Sequence, residues 1–268
     1  MATPVRRPER RNRKIGTAAA GHGQNNKMAI PNSRMDRFGN ATEFYERMQF
    51  DCVIERIVHD TQITVLYENP REGYNYGCTP EDVLHLLSMI PEDHHYLLEF
   101  IIFRQPTNKQ SQQSPVWGRL IYCAEVGNGL GPAIIIEAQK DNSELFWPRK
   151  ISLEGQDEIN RLKADGHKFE RTKRAFVSKL CPMAHRNTVL YRTLLHEFGH
   201  LKQYVVEVLD EDTALSDDYN IAGDLYDAKP SSEREQYANR YADELSEKLR
   251  LEGHIPFDPI DIEISTKT

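Results

Sequence analysis

The chain changes character half-way along. In its first half, short runs rich in β-branched and aromatic residues are broken by turn residues. In its second half, apolar residues recur every three to four positions. Cys52–Val58 and Gln62–Tyr67 read as a β-hairpin. Thr79-Pro80-Glu81-Asp82 is a helix start, with Thr79 as cap, Pro80 in the first turn and Asp82 three residues after the cap. That helix carries Val83, Leu84, Leu86, Leu87 and Ile90 and stops at Pro91. Tyr96–Phe103 is a predicted strand, Lys109–Pro115 a polar loop, and Trp117–Val126 and Pro132–Ala138 are two further strands around a glycine-rich turn. No helix follows Gly127, Gly129 and Gly131, so they do not form a phosphate loop. A short helix is predicted over Thr42–Phe50, and longer ones over about 155–178, 186–209 and 231–252. Strands gathered before helices predict an α+β fold, with a mixed or antiparallel sheet in the N-terminal half packed on the later helices. The expected division is a tail over 1–43 and a domain over 44–268, strand-rich over 44–140 and helical over 141–255.

Composition sharpens this picture. The net charge of −7 conceals a basic segment: residues 1–40 carry seven Arg and two Lys against Glu9 and Asp36, leaving the remainder at −14. An acidic body excludes a general nucleic-acid binder. The patch Arg6–Lys14 belongs to a tail expected to be disordered. It is suited to nucleic acid, to an acidic partner, to the body of its own protein or simply to solubility. No apolar run is long enough to span a membrane, and none follows the basic N-terminus as in a secretory signal. Cys52, Cys78, Cys123 and Cys181 form no C-x-x-C pair and are expected to be reduced thiols. A cytoplasmic location is expected.

Candidate chemistry centres on His196-Glu197-Phe198-Gly199-His200. Leu190, Leu194, Leu201, Tyr204, Val205 and Val208 place this stretch on an amphipathic helix, and no proline falls between His185 and Lys229. Residues four apart on a helix share a face, so both imidazoles can reach one metal ion, with Glu197 beside the water that the metal activates. Gly199 costs about 1 kcal/mol against alanine inside a helix, and close approach of a strand or of substrate would account for it. His94-His95 reads as a pair of loop residues, since adjacent side chains point apart.

Two histidines leave a zinc site incomplete. The pattern with a third histidine requires Gly at 203 and His at 206, where the chain has Gln203 and Val206. A carboxylate downstream remains. Ser231–Leu245 reads as a helix with Tyr237, Ala238, Tyr241, Ala242 and Leu245 on its apolar side. Small Ala238 and Ala242 suit close packing on another helix, and Glu235 faces the same side. Helical position alone leaves Glu235 two roles, a metal ligand or a solvated charge beside Glu233, Arg234 and Arg240.

The blocks H-E-F-G-H and Glu235-x-x-Ala238-Asn239-x-Tyr241-Ala242 resemble those of gluzincin metallopeptidases, most closely the ImmA/IrrE family. The resemblance covers about residues 187–245. It implies a zincin-like fold, His196, His200 and Glu235 as ligands of Zn2+, and Glu197 as general base. Asn239 would orient a histidine. Tyr241 stands where the family more often has Phe, and the segment after Ala242 departs from its usual ending. The implied activity is hydrolysis of peptide bonds in a protein or peptide substrate; a narrow specificity is expected from the cytoplasmic location, where an open general protease would be harmful. The alternative is a zincin-fold regulatory protein that binds partners without turnover. Tyr219, Tyr226 and His185 are nearby candidates for an oxyanion donor. Cys181 offers a thiolate that could occupy the open metal position. Pro132–Glu137 or Trp117–Cys123 could serve as the edge strand that receives substrate.

Overall fold

The structure, a computed structural model, describes residues 34–35, 41–42, 50–95, 97–107, 116–126, 129–209 and 218–261, without the side chains of 34–35, 41–42, 154 and 218–221. The chain divides into two units, Met1–Arg47 and Met48–Thr268. In the first, Arg34–Met35 (β1) pairs antiparallel with Ala41–Thr42 (β2). Thr42 therefore closes a strand instead of opening a helix. The rest of the helix expected over Thr42–Phe50 lies outside the described residues up to Phe50, which is not helical. The basic patch Arg6–Lys14 also lies outside the described residues, as does most of the tail expected to be disordered over 1–43; its described residues, Arg34–Met35 and Ala41–Thr42, are paired strands.

The second unit is built on a five-stranded mixed sheet. Cys52–Val58 (β3) and Thr61–Tyr67 (β4) form the expected hairpin in full register. Val53 and Ile57 point outward while Ile54 and Val58 point into the core, the two-residue alternation of a half-buried strand. Tyr74–Asn75 (β5) follows. The chain then crosses through the helix Pro80–Leu87 (α1), whose capping box is formed as expected by Thr79 and Asp82. The expected strand at 96–103 is shorter and shifted: Phe100–Arg104 (β6) pairs parallel to β4 and is buried along its whole length. Gly118–Val126 (β7) and Gly129–Glu137 (β8) form an antiparallel hairpin, with β8 parallel to β6. The order is β3-β4-β6-β8-β7, so β7 is an edge strand. Glu137 is buried between the guanidinium groups of Arg104 (2.9 Å) and Arg119 (2.7 Å), which ties the ends of the last three strands together.

The segment over 141–255, expected to be helical, also carries strands. Gln139–Lys140 (β9) pairs with β5, and Glu144–Pro148 (β10) belongs to a second, three-stranded antiparallel sheet. The helix expected over 155–178 runs only over Leu153–Ala164 (α2). Gly166 takes φ +104°, a left-handed conformation that favours glycine. Gly166 N–H donates to Lys163 O and His167 N–H to Leu162 O, the two bonds that close a helix C-terminus. Phe169–Arg171 (β11) and Ala175–Lys179 (β12) complete the second sheet in the order β10-β12-β11.

Pro182–Thr188 (α3), a π-helical segment Val189–Leu194 and Leu195–Val208 (α4) then form one continuous rod, close to the predicted 186–209. Asp218–Asp227 (α5) and Ser231–Leu251 (α6) follow. Val189, Leu190, Leu194, Phe198 and Leu201 meet Ile63, Val65, Ile101, Phe103, Ile134 and Ile136 in one core, so the rod packs against one face of the five-stranded sheet. The buried Arg186 guanidinium pairs with Asp82 and donates to Phe257 O (3.3 Å), and Ile260 N–H donates to Asp82 (2.9 Å). The rod, α1 and the C-terminal segment are thereby joined. The chain is thus mixed α and β, as expected. No helix among the described residues is long and apolar enough to cross a membrane.

Candidate metal centre

His196 and His200 lie one turn apart on α4 and face α6. Their Nε2 atoms are 3.1 Å apart. What brings a third group to them is the helix seam. Ala238 and Ala242 are buried on α6, and Ala238 meets Gly199 of α4. A Cβ on Gly199 would lie 2.8 Å from Ala238 Cα and 3.0 Å from its carbonyl oxygen. The glycine is therefore required by a neighbouring helix, not by a strand or substrate. Glu235, three residues before Ala238, reaches across this contact. Its Oε2 lies 3.3 Å from His196 Nε2 and its Oε1 3.5 Å from His200 Nε2.

These distances fit a zinc ion. Bonds of about 2.0–2.1 Å at tetrahedral angles place ligand atoms about 3.3 Å apart. The two Nε2 atoms are 3.1 Å apart, and a different Glu235 oxygen stands 3.3 Å from one and 3.5 Å from the other, so the separations bracket that value with the carboxylate spread across both rings. Lone pairs converging at this spacing repel one another unless a proton or a cation lies between them. The Glu235 side chain is 56% exposed, so a fourth position would face solvent. Without a cation, shared protons hold the three groups together. Hydrogen bonds from His196 and His200 hold the Glu235 carboxyl far below the usual carboxylate range. Burial alone would pull the His196 imidazole down, but the bond to Glu235, the Glu197 charge and a bond to Asn239 outweigh it and raise it. Among the described residues, His196, His200 and Glu235 form the one group of three or more His, Cys, Asp or Glu side chains close enough together to hold a metal.

Glu197 is buried beside them, and one of its carboxylate oxygens accepts a 2.8 Å hydrogen bond from the Leu120 N–H of β7. Burial raises its carboxyl, opposed by the two histidines and by this bond. The bond is available because β7 is an edge. Trp117 O accepts from Glu137 N–H across to β8, so by strand alternation the backbone groups of Gly118 and Leu120 point away from the sheet. One outward N–H holds Glu197, and the strand's outward edge is the side an extended chain would meet. Of the two strands considered from sequence, Trp117–Cys123 has this edge position; Pro132–Glu137 is interior.

Two cavities open on either side of the three donors, sharing Gly118, His196, Glu197 and Glu235. The larger, about 910 Å3, is walled by Trp117, Phe146 and Trp147 and by Arg161 of α2. The smaller, about 400 Å3, is lined by Tyr122, His200 and Arg234. Asn239, one turn after Glu235, hydrogen-bonds His196 and accepts a 2.7 Å bond from the Arg161 guanidinium.

The remaining sequence candidates fall elsewhere. Tyr226 is buried behind Tyr122, the two hydroxyls 2.7 Å apart. His185 is buried against Trp117 and Gly77 and lines neither cavity. The Tyr219 side chain lies outside the described residues. Cys181 is exposed at the start of α3 and is not part of the His196–His200–Glu235 group. His94 sits in a 3-10 turn and meets Tyr241 (2.7 Å), and His95 is buried with its ring stacked on His59. Neither belongs to the centre. Sequence reasoning missed Arg161, whose segment carried no motif, and Leu120, whose role is a backbone N–H that no side-chain pattern signals.

No protein-family model matches the chain, and no curated protein or solved structure was found to be similar to it.

Proposed function

We propose that the protein is a zinc-dependent metallopeptidase of the gluzincin type, similar to the ImmA/IrrE family, acting inside the cell on a narrow range of protein or peptide substrates. The observation that carries this reading is the spacing of His196, His200 and Glu235, which suits zinc with one solvent-facing position, beside a buried carboxylate fixed to an edge strand. When bound, zinc would supply Lewis acidity, polarising the scissile carbonyl and acidifying the attacking water.

The chain's own residues supply the rest. Outward backbone groups of β7 hold the substrate as an added strand. Glu197 takes the proton of the water and passes it to the leaving amine. Leu120 N–H fixes the carboxylate that does so, and Asn239 fixes the His196 ring.

A regulatory protein of the same fold without turnover would need the three ligands but no base. Glu197→Gln separates the two. The peptidase reading expects about one zinc per chain by elemental analysis. It further expects zinc to be retained in Glu197→Gln, with hydrolysis of a peptide library falling about 10²- to 10⁴-fold. Hydrolysis undiminished in that variant, or zinc bound equally well by Glu235→Ala, overturns it.

A further inference from the structure

The larger cavity carries a cationic group that has no ion pair among the described residues. Arg161 stands in its wall, and its guanidinium makes a single hydrogen bond, to Asn239 Oδ1. It has no carboxylate partner among the described residues. Other charged groups of the cavity have partners of their own: Glu197 accepts from Leu120 N–H, and Glu235 stands against His196 and His200. Arg192 is held by Glu158 (3.0 Å) and Asp165 (2.7 Å). Lys140 and Glu144 are exposed and of opposite sign. A guanidinium has five donors in a planar fork that matches a carboxylate.

We infer that Arg161 determines specificity in this cleft by binding a carboxylate of the peptide substrate close to the scissile bond. The inference rests on the peptidase reading and adds a substrate class to it. Asn239 bridges Arg161 to the metal-ligating ring of His196. A carboxylate on the guanidinium therefore lies within the span of a residue or two of the reacting carbonyl, at about 3.3 Å of extended chain per residue. Trp117, Phe146 and Trp147 give the same cavity an apolar wall for the rest of the side chain. Two sources share this chemistry: an Asp or Glu side chain, as in an endopeptidase, and a free C-terminus, as in a carboxypeptidase.

The test uses a property of the chain. It has two tryptophans, Trp117 and Trp147, and both line this cavity, so intrinsic fluorescence reports on its occupancy. Three short acetylated peptides are titrated into zinc-loaded and metal-stripped protein: one with a central Glu and an amidated end, one with Gln and an amidated end, and one with Gln and a free carboxylate. One of the two carboxylate peptides is expected to bind about tenfold to a hundredfold more tightly than the neutral one, and which one does so identifies the source. Arg161→Gln is expected to erase that difference while leaving the neutral peptide within about twofold and the zinc content unchanged. Arg161→Lys is expected to keep part of it, since it keeps the charge and loses the fork.

Equal binding of all three peptides by the wild-type protein overturns the inference. So does an Arg161→Gln variant that weakens neutral and charged peptides alike, which would leave Arg161 only a positioning role through Asn239. The carboxylate preference must also appear in the metal-stripped protein. A protein that shows it there and takes up no zinc keeps the Arg161 inference and loses the peptidase reading.

Discussion

Gly199 and Ala238 touch through the backbone. The position a glycine Cβ would occupy is 2.8 Å from Ala238 Cα, and this contact sets how close Glu235 stands to His196 and His200. In an exposed helix, alanine in place of glycine is favoured by about 1 kcal/mol. Here the atoms in the way belong to the backbone of α6 and cannot rotate aside. Gly199→Ala is expected to destabilise the protein by about 1–3 kcal/mol in denaturant unfolding and to weaken zinc binding by moving α6 outward. Ala238→Gly should not restore either property, because it leaves the backbone in place. A higher unfolding midpoint in Gly199→Ala would contradict the packing described.

Leu120 contributes to the centre through its N–H alone. On an edge strand, an N–H that points away from the sheet can be replaced by proline with little damage to pairing. Leu120→Pro is therefore expected to keep the zinc and lower hydrolysis about tenfold to a hundredfold, the worth of a hydrogen bond to a charged group. Leu120→Ala, which keeps the N–H, is expected to stay close to wild type. The comparison fails if the two variants behave alike in steady-state peptide hydrolysis.

Acid sensitivity follows from histidines outside the centre. Burial lowers the His185 pKa from 6.5 to about 4, and burial also lowers those of His95 and His167. Between pH 6.5 and 4 the unfolded chain then binds more protons at position 185 than the folded chain does. The stability contributed by neutral His185 is complete above the unfolded pKa and is lost as pH falls through the folded one. The loss amounts to roughly 3 kcal/mol. Urea unfolding measured across this range should show stability falling with pH, and His185→Phe should flatten the fall. An unchanged slope in that variant would assign the acid sensitivity to other groups.

The His196–Glu197–His200 part of the candidate site is legible because it is local. His196, Glu197 and His200 are fixed by helical spacing, and Ala238 and Ala242 mark the seam that carries Glu235. The sheet order was less legible, since the parallel pairing of β6 between β4 and β8 depends on contacts far apart in sequence. The second sheet was missed for the same reason. Leu145-Phe146-Trp147 pairs with Phe176-Val177-Ser178 across some thirty residues of chain, and nothing within either run announces its partner. The stop at Gly166 was a local signal, a glycine just beyond a run of helix formers, and it was read through. The wall of the larger cavity depends on these elements: β10 brings Phe146 and Trp147, and α2 brings Arg161.

The π-helical segment Val189–Leu194 acts as a phase adjuster between two halves of one rod. Before it, α3 presents Arg186 to Asp82 and His185 to Trp117. After it, α4 presents His196 and His200 to Glu235. Each residue of an α-helix turns the rod by about 100°, so removing a single residue from this segment would swing one half against the other by about that angle. The anchoring face and the ligand face could then not both meet their partners. The irregular turn sets the angular offset between holding the rod in the core and aiming its histidines at the cleft.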